Sequence, residues 1–559
     1  MKCHKEHYNF LNYYIERTFY IFIMNSCKFQ ICSFSFVGTL DFGIGEMDRI
    51  SQLPDFIVHH ILSFFDASNG PPVELVRMSV LSKTWFHLTA SFPILDFRMY
   101  NFRPQEQEQE SFYKYIVYTT SRFCHQNVAA HRLKLSANIE EAAELDIINR
   151  CVERVLNKGV RELEIEIINL SDIPKYRLPN TLLSVSVLRS LTINGCELPS
   201  SLIVDAVKFK SLIQLRLEDV SIDEEVIKYL ATSCPLLQVF EIMCCPGFNR
   251  FCVHGHQNLQ EVRIEYYTPI ESIDIEAPNL SRLLVADWDQ RGAPRMNLTS
   301  CKNLTTVSYF GHPLPNSNGF NDLLSNFPVI ENLVLVTQYP CNNLRLSSHS
   351  LRTLVLRANC DLEEIEFRTP KLVSFCYPFN RTILWPLVWH STFLKPCMQI
   401  YPGDHIDTLW FQKLRQFLDK ENGFKVFNLF IHAIYYQKLI DLEKLKAIGL
   451  PPYELEHVEL QLEAHEESSD RITFLDAVLW CCRPRSITLR SSHPLTDFEE
   501  QSDLVKFTYK KLLEQEDKGH TNVHIVSPSS SKAKKHFRGL VCEGKAISFV
   551  KEQGTLFIN

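Results

Sequence analysis

Two hydrophobic periods divide this chain. Between residues 53 and 65, LPDFIVHHILSFF places Ile57, Val58, Ile61, Leu62, Phe64 and Phe65 at the i, i+3/i+4, i+7 spacing of a helix. Pro54 suits a first helical turn, where a missing N–H is harmless, and Asp55 complements the positive end of the helix. The Asn-Gly-Pro-Pro chemistry of DASNGPP (66–72) stops it. A second short helix is predicted in PVELVRMSV, with Pro72 at its first position. A third starts from the N-cap Ser82 and runs through KTWFHLTAS towards Pro93. Three short helices enclose very little core. Yet Leu53, Ile57, Val58, Ile61, Leu62, Phe64, Phe65, Leu75, Val76, Val80, Leu81, Trp85 and Leu88 are all apolar, so part of this set must meet a surface outside the unit.

From about 128 to 378 the period changes. L-x-x-L-x-L segments begin at Leu188, Leu212, Leu237, Leu259, Leu280, Leu304, Ile330, Leu351 and Leu372, spaced 24, 25, 22, 21, 24, 26, 21 and 21 residues apart. HRLKL (131–135) and VRELEI (160–165) are earlier copies. This is the period and pattern of leucine-rich repeats, in which a strand and its return form one unit that buries its apolar side only by stacking. Cys196 and Cys245 fall three residues after the last apolar position, as does Asn359, where the repeat favours Asn or Cys; they are expected to be buried and structural. SIDEEVIKYLATSCP and FNDLLSNFP read as helical returns, and other returns are short or irregular.

The first unit resembles an F-box. The pattern LP-x-x-I-x-x-x-IL-S-F, a loop, then R-x-S-x-L-S-K-x-W spans residues 53–85. The resemblance implies docking onto the Skp-type adaptor of an SCF (Skp–cullin–F-box) ubiquitin ligase. Leu53, Pro54, Ile57, Ile61, Leu62, Phe64, Leu75, Val76, Val80, Leu81, Ser82 and Trp85 would carry the contact or hold its helices. One departure is the loop DASNGPPVE, longer and richer in Gly and Pro than the usual link. With ATSCPLLQVFEI, a helix, Cys-Pro and strand in sequence, the whole is similar to plant F-box/leucine-rich-repeat proteins. The expected fold is α/β: a small three-helix F-box, then a leucine-rich-repeat solenoid (horseshoe) with an irregular C-terminal extension of the repeats. The expected boundaries are 1–46, an unstructured or spurious extension with Met47 as a usable start; 47–95, F-box; 128–378, repeats; 379–525, degenerate repeats; and 526–559, a flexible link and terminal strands.

Within each repeat strand, side chains alternate between core and concave face. The concave positions are most charged from Arg216 to Arg282, and we take Arg216, Glu241, Glu261, Arg263 and Arg282, with Tyr266, Tyr267 and Trp288 just past their strands, as candidate substrate-binding residues. The competing reading is a solvated face laced with Arg–Glu pairs. In the C-terminal third, KVFNLFIHA and LEHVELQL read as strands. DLEKLKAIGLPP, DRITFLDAVLWCC and DLVKFTYKKLLEQE read as helices, the second running into the strand through Ile487 and Leu489.

Composition narrows the chemistry. A formal charge of −7 gives no electrostatic reason to bind nucleic acid or an anionic membrane. TFYIFIM (18–24) is too short for a membrane span. Eighteen cysteines without a C-x-x-C pair read as reduced thiols of an intracellular protein, in cytoplasm or nucleus, with no metal site. GLVCEGKA (539–546) copies G-x-x-x-x-G-K but continues with Ala546 and a strand-like ISFV, so the helix N-terminus of a phosphate cradle is missing. Asn297, Asn303 and Asn380 head N-x-S/T triplets of a kind common by chance. No enzyme motif and no cofactor is expected; some hormone-sensing relatives hold an inositol phosphate on a basic cluster, and no such cluster converges here. The reading is a non-catalytic subunit that joins the adaptor, and through it cullin, to a protein substrate; the alternative is a leucine-rich-repeat binding scaffold whose F-box no longer supports ubiquitylation.

Overall fold

The computed structural model describes residues 53–63, 75, 78–101, 106–170, 173–202, 209–288, 293–311, 324, 327, 329–337, 343–358, 364–379, 387–389, 397–402, 406–419, 426–430, 440–449, 451–462, 468–491, 498–515, 521–526 and 546–553. The expected extension 1–46, Phe64, Val76, the Gly/Pro-rich loop, Asn359, the Ser-rich link and all of the phosphate-loop decoy but Ala546 lie outside them. The described residues divide into two compact units, one within 47–372 and 387–394, the other within 373–386 and 395–559.

The first unit opens with α1 (Asp55–Ser63) and α2 (Lys83–Ala90), followed by β1 (Ile94–Arg98), α3 (Glu106–Cys124), β2 (Arg132–Ile139), α4 (Ala142–Leu156) and β3 (Glu162–Asn169). The repeats continue with β4 (Ser190–Asn194), β5 (Gln214–Glu218), α5 (Glu224–Ser233), β6 (Val239–Met243), β7 (Arg250–Val253), β8 (Glu261–Tyr266), β9 (Ser272–Ile275), β10 (Arg282–Asp287), β11 (Arg295–Asn297) and β12 (Thr306–Phe310). Then come β13 (Asn332–Thr337), β14 (Asn343–Ser347), β15 (Thr353–Ala358), β16 (Glu364–Arg368), β17 (Ser374–Phe379), which belongs to the second unit, and β18 (Leu387–Trp389).

Strands β1, β2, β3, β4, β5, β6, β8, β10, β12, β13 and β15 pair in that order, every pair parallel, in a sheet not closed into a barrel. The register puts the repeat leucines in rows. Leu163, Leu191, Leu215, Phe240, Val262, Leu283, Val307, Leu333 and Leu354 are partners across successive strands, and all lie in the core. The first leucine of each repeat, from Leu188 to Leu351, is buried beneath the strand entry. Each such burial contributes about 1.5–3 kcal/mol, so a single repeat cannot be removed cheaply.

Several of the returns expected to be short or irregular contain strands, and FNDLLSNFP, read as helical, lies mostly outside the described residues. β7, β9 and β11 form their own parallel sheet, as do β14, β16 and β18. These stretches are too short to show a clear alternation in sequence. Helical returns do occur: Asp223 caps α5 by accepting a hydrogen bond from the Val226 N–H at 2.8 Å. The amides of Asn258 and Asn279, each just before a repeat leucine, donate to the carbonyls of Pro235 and Gln257 in the preceding turn, both at 2.8 Å. Asn303 donates to the side-chain oxygen of Asn279. These asparagines stitch turn to turn. Cys196 and Cys245 are buried at the strand ends, where their thiols donate to the carbonyls of Asn194 and Met243, both at 3.3 Å. Burial pushes the Cys245 thiol up to about 12.

The second unit carries β17, β19 (Cys397–Pro402), α6 (Thr408–Asp419), β20 (Val426–Phe430), α7 (Leu442–Lys446), β21 (Tyr453–Leu462), α8 (Ser468–Cys481), β22 (Cys482–Ser491), α9 (Phe498–Glu514), β23 (Thr521–Val526) and β24 (Ala546–Gln553). β17, β19, β20, β21 and β22 pair in parallel, and β24 then pairs antiparallel with both β22 and β23. The helices read from DLEKLK, DRITFLDAVLWC and DLVKFTYKKLLE are α7, α8 and α9. Phe474 to Leu479 are buried on every side of α8, and the buried Asp476 among them is held by Lys446 (3.0 Å) and Lys511 (3.3 Å).

Candidate functional site

The helical unit closes a core of its own. In α1, Val58 and Leu62 stand four residues apart on one face; in α2, Trp85 and Leu88 stand three apart. Together with Phe92 they form one buried cluster, flanked by Leu75, Met78 and Ile94. Ser82 caps α2, accepting a hydrogen bond from the Trp85 N–H at 3.2 Å. The His59 imidazole Nε2 lies 3.1 Å from the Leu88 carbonyl and 3.3 Å from the Ser91 hydroxyl, tying α1 to the end of α2. Leu75, Met78 and Ser79 have helical backbone.

Several apolar side chains remain exposed outside this core: Phe56 is 70% exposed, Val80 79% and Leu81 68%, and Leu53 and Pro54 are exposed as well. Ile57, Ile61 and Leu75 are half-buried. Sequence reasoning placed Leu62 and Trp85 among the candidates; the structure assigns them to holding the helices together. It adds Phe56, whose position at the solvent side of α1 is visible from helical spacing alone. The unit is also fastened to α3. Arg122, near the end of that helix, lies 4.1 Å from the ring centroid of Phe86 and donates to the Phe86 carbonyl (2.8 Å) and the Thr89 hydroxyl (3.2 Å).

The second candidate surface is the face of the repeat sheet opposite its leucine rows. Partners across it include Arg132–Glu162, Lys134–Glu164, Arg216–Glu241–Arg263 and Glu261–Arg282. Most cations are matched. Arg132 contacts Glu162 at 2.6 Å, Lys134 contacts Glu164 at 2.5 Å, and Arg98 donates to Asp96 at 2.7 Å. Arg282 contacts Glu261 at 2.7 Å, and Arg263 donates to the buried Glu265 at 2.6 Å. Arg216 stands between Glu218 (3.5 Å) and Glu241 (3.6 Å), one guanidinium shared by two carboxylates.

Glu241 is held only loosely by this shared guanidinium. Its side chain is 12% exposed and its Oε2 accepts no hydrogen bond. Burial lifts its carboxyl above the usual range despite the opposing pull of Arg216 and Arg263. The aromatic candidates separate. Tyr266 continues the inward row of Val262 and Ile264 and is buried in the core. Tyr267 is 49% exposed and stacks on Trp288, ring centroids 6.2 Å apart and 25° from coplanar. Trp288 is itself anchored by its backbone N–H donating to the Tyr266 carbonyl at 2.9 Å. Further along, Leu284, Ser308 and Val355 occupy the same face but are buried, so the exposed charged zone ends at β10. Among the described residues no His, Cys, Asp and Glu cluster is fit to hold a metal, and no helix is long and apolar enough to cross a membrane.

Comparison with known proteins agrees with this division. A family model for the F-box domain matches residues 50–97, and one described as FBD-associated F-box protein At5g56370, LRR repeats, matches residues 148–319. The Arabidopsis thaliana F-box/LRR-repeat protein 25 is 25% identical over 244 residues, which are 43% of this chain and 86% of that protein. The putative F-box protein At3g58860 of the same plant is 27% identical over 47% of this chain and 56% of its own length. F-box/FBD/LRR-repeat protein At4g00160 is 28% identical over 47% of this chain and 59% of its own. The aligned region thus spans little more than half of the last two relatives. The chain carries an F-box domain followed by FBD-associated leucine-rich repeats, and is similar to the F-box/LRR-repeat proteins of Arabidopsis.

Proposed function

We propose that the chain is the substrate-recruiting subunit of an SCF-type ubiquitin ligase, working without chemistry of its own. The observation that carries this reading is that Leu53, Phe56, Val80 and Leu81 stay exposed on a helical unit that has a buried core of its own. Exposed apolar side chains of this kind, on a small unit matched by the F-box model, suit a protein partner. The partner is a Skp-type adaptor, and through it cullin. The exposed face of the repeats, a solenoid curved as a horseshoe, holds a target protein in cytoplasm or nucleus and raises its effective concentration near the ubiquitin-charged enzyme. Residues 47–95 form the docking module, 128–378 the repeats, 379–525 a degenerate continuation, and 526–559 a link with terminal strands.

Co-purification of the full chain with a Skp-type adaptor tests the reading. Wild type is expected to retain the adaptor, and Leu53→Ala combined with Pro54→Ala to lose it. A folded wild type that does not bind, or a double variant that binds as well, overturns it. Adaptor binding with unchanged abundance of every associated protein would instead identify a scaffold whose F-box no longer serves ubiquitylation.

A further inference from the structure

One lane of the repeat face keeps its hydrogen-bonding groups unspent. Register partners across β3, β4 and β5 are Glu162–Ser190–Gln214, Glu164–Thr192–Arg216 and Glu166–Asn194–Glu218. The short side chains of Ser190 and Thr192 are therefore flanked by longer ones on both sides. The flanking groups are engaged away from β4. On β3, Glu162 contacts Arg132, Glu164 contacts Lys134 and Glu166 accepts from the Ser136 hydroxyl, all three partners lying on β2. On β5, Arg216 is divided between Glu218 of its own strand and Glu241 of β6. Ser190, Thr192, Asn194 and Gln214 are half-buried, and among the described residues their side chains have no hydrogen-bond partner.

The lane has the dimensions of one extended chain. β3 and β5 lie two strand spacings apart, about 10 Å. Ser190, Thr192 and Asn194 recur every second residue, ~6.6 Å, the repeat at which an extended peptide turns its N–H and C=O groups to the same side. Hydroxyl and amide groups both donate and accept, so this ladder can meet either backbone group. Charge gives the lane a direction. At the strand entry the Arg189 N–H donates to the Arg161 carbonyl at 2.7 Å, which makes these two residues neighbours. Both are exposed, and neither has an acidic partner among the described residues. At the strand exit Asn194 stands between Glu166 and Glu218. From Arg189 to Asn194 the lane runs ~17 Å, the length of a five- or six-residue extended segment.

We propose that this lane takes an extended segment of a target protein, with an aspartate or glutamate over Arg161 and Arg189 and three or four uncharged residues laid along Ser190, Thr192 and Asn194. The inference rests on the reading of the repeats as the substrate-holding part of the chain and specifies the class of segment. The two guanidinium groups select the acidic residue and set where the segment starts. The β4 side chains hold its backbone, so the uncharged positions tolerate many side chains. A second acidic residue at the far end would meet Glu166 and Glu218, so an unbroken acidic run is disfavoured.

The test is selection of a random display library of short peptides on immobilised full-length chain, with sequencing of the retained clones. Retained peptides are expected to carry one acidic residue next to a run of three or four uncharged ones. Enrichment is expected to fall about tenfold when Arg161→Glu is combined with Arg189→Glu, and about fivefold on Thr192→Val, which removes one hydroxyl at constant shape. The arginines lie at the surface and valine is isosteric with threonine, so melting temperature and adaptor co-purification are expected to stay as in wild type. Absence of enrichment, retention of basic peptides or of unbroken acidic runs, or enrichment that survives either variant overturns the proposal. Loss of adaptor binding by wild type would instead overturn the reading beneath it, so the two failures are distinguishable.

Discussion

Arg122 spans from α3 to α2 and places its guanidinium over the ring of Phe86 while donating to the Phe86 carbonyl. The same group lies 5.3 Å from the ring of Tyr118, so two aromatic faces and two hydrogen-bond acceptors share one cation. Arg122→Ala is expected to destabilise the contact by about 1–2 kcal/mol. Amide exchange across residues 83–91 should accelerate, with little change in the repeats. Arg122→Lys should not restore protection, since an ammonium lacks the planar fork that serves both acceptors. Hydrogen exchange read by mass spectrometry decides this; unchanged rates in 83–91 would remove the fastening role.

The exposed apolar residues of the helical unit and its buried core should respond in opposite ways. Leu81 is 68% exposed, so Leu81→Asp is expected to shift thermal stability by no more than about 0.5 kcal/mol while adaptor capture is lost. Trp85 is buried, and Trp85→Ala is expected to cost about 3–5 kcal/mol and to unfold the helical unit. A melt and an adaptor pull-down on both variants separate a contact residue from a structural one.

How far the fold is legible in the sequence varies by element. The repeat strands announce themselves because each leucine is in register with the next and buried, so the period survives uneven returns. β1 does not: ILDFR is five residues long, and its partner Arg132–Ser136 lies beyond the whole of α3. The long helices α3 and α4 carry clear apolar stripes, such as Ile148, Cys151, Val152 and Val155, yet fall between motifs that draw attention to themselves. In the candidate site, strand alternation alone separates inward Tyr266 from outward Tyr267. The shared pairing of Arg216 could not be read from one strand, because Glu218 lies on its own strand and Glu241 on the neighbour.

Three successive strands leave the sheet through the same left-handed turn: Gly195 (φ 68), Asp219 (φ 50) and Cys244 (φ 53) follow β4, β5 and β6. A Cβ on Gly195 would overlap the backbone carbonyl of Ile167. Gly195→Ala is therefore expected to destabilise by about 2–3 kcal/mol, through positive φ and backbone collision together. Cys244→Gly relieves the first of these and is expected to be neutral or stabilising, by about 1 kcal/mol or less. The denaturant midpoint should fall for Gly195→Ala and not for Cys244→Gly; a tolerated Gly195→Ala would contradict the close approach.

His256 makes stability depend on pH. Its Nε2 lies 3.1 Å from the Cys234 carbonyl, which can only accept, so Nε2 carries the proton and the buried Nδ1 has no partner. Burial holds the imidazole below its ordinary value against the pull of the Cys234 and Ala231 carbonyls. The unfolded chain then binds a proton that the folded one resists. This part of the stability is intact above the ordinary histidine range and is lost as pH falls through it towards the lower folded value. His256→Gln should flatten the decline in melting temperature between about pH 7.5 and 5.5; an equally steep decline would place the dependence elsewhere.

The antiparallel end of the second unit bears on how the chain is made. The parallel strands of each unit pair in their order of synthesis, so each finds its neighbour already present. β22 is the exception: it pairs on one side with β24, and β23, synthesised between them, reaches the sheet through β24. A nascent chain halted before Ala546 therefore carries two bare strand edges, the kind of template that recruits other chains. Premature stop codons in this last stretch would yield aggregation-prone products even though every repeat upstream is complete.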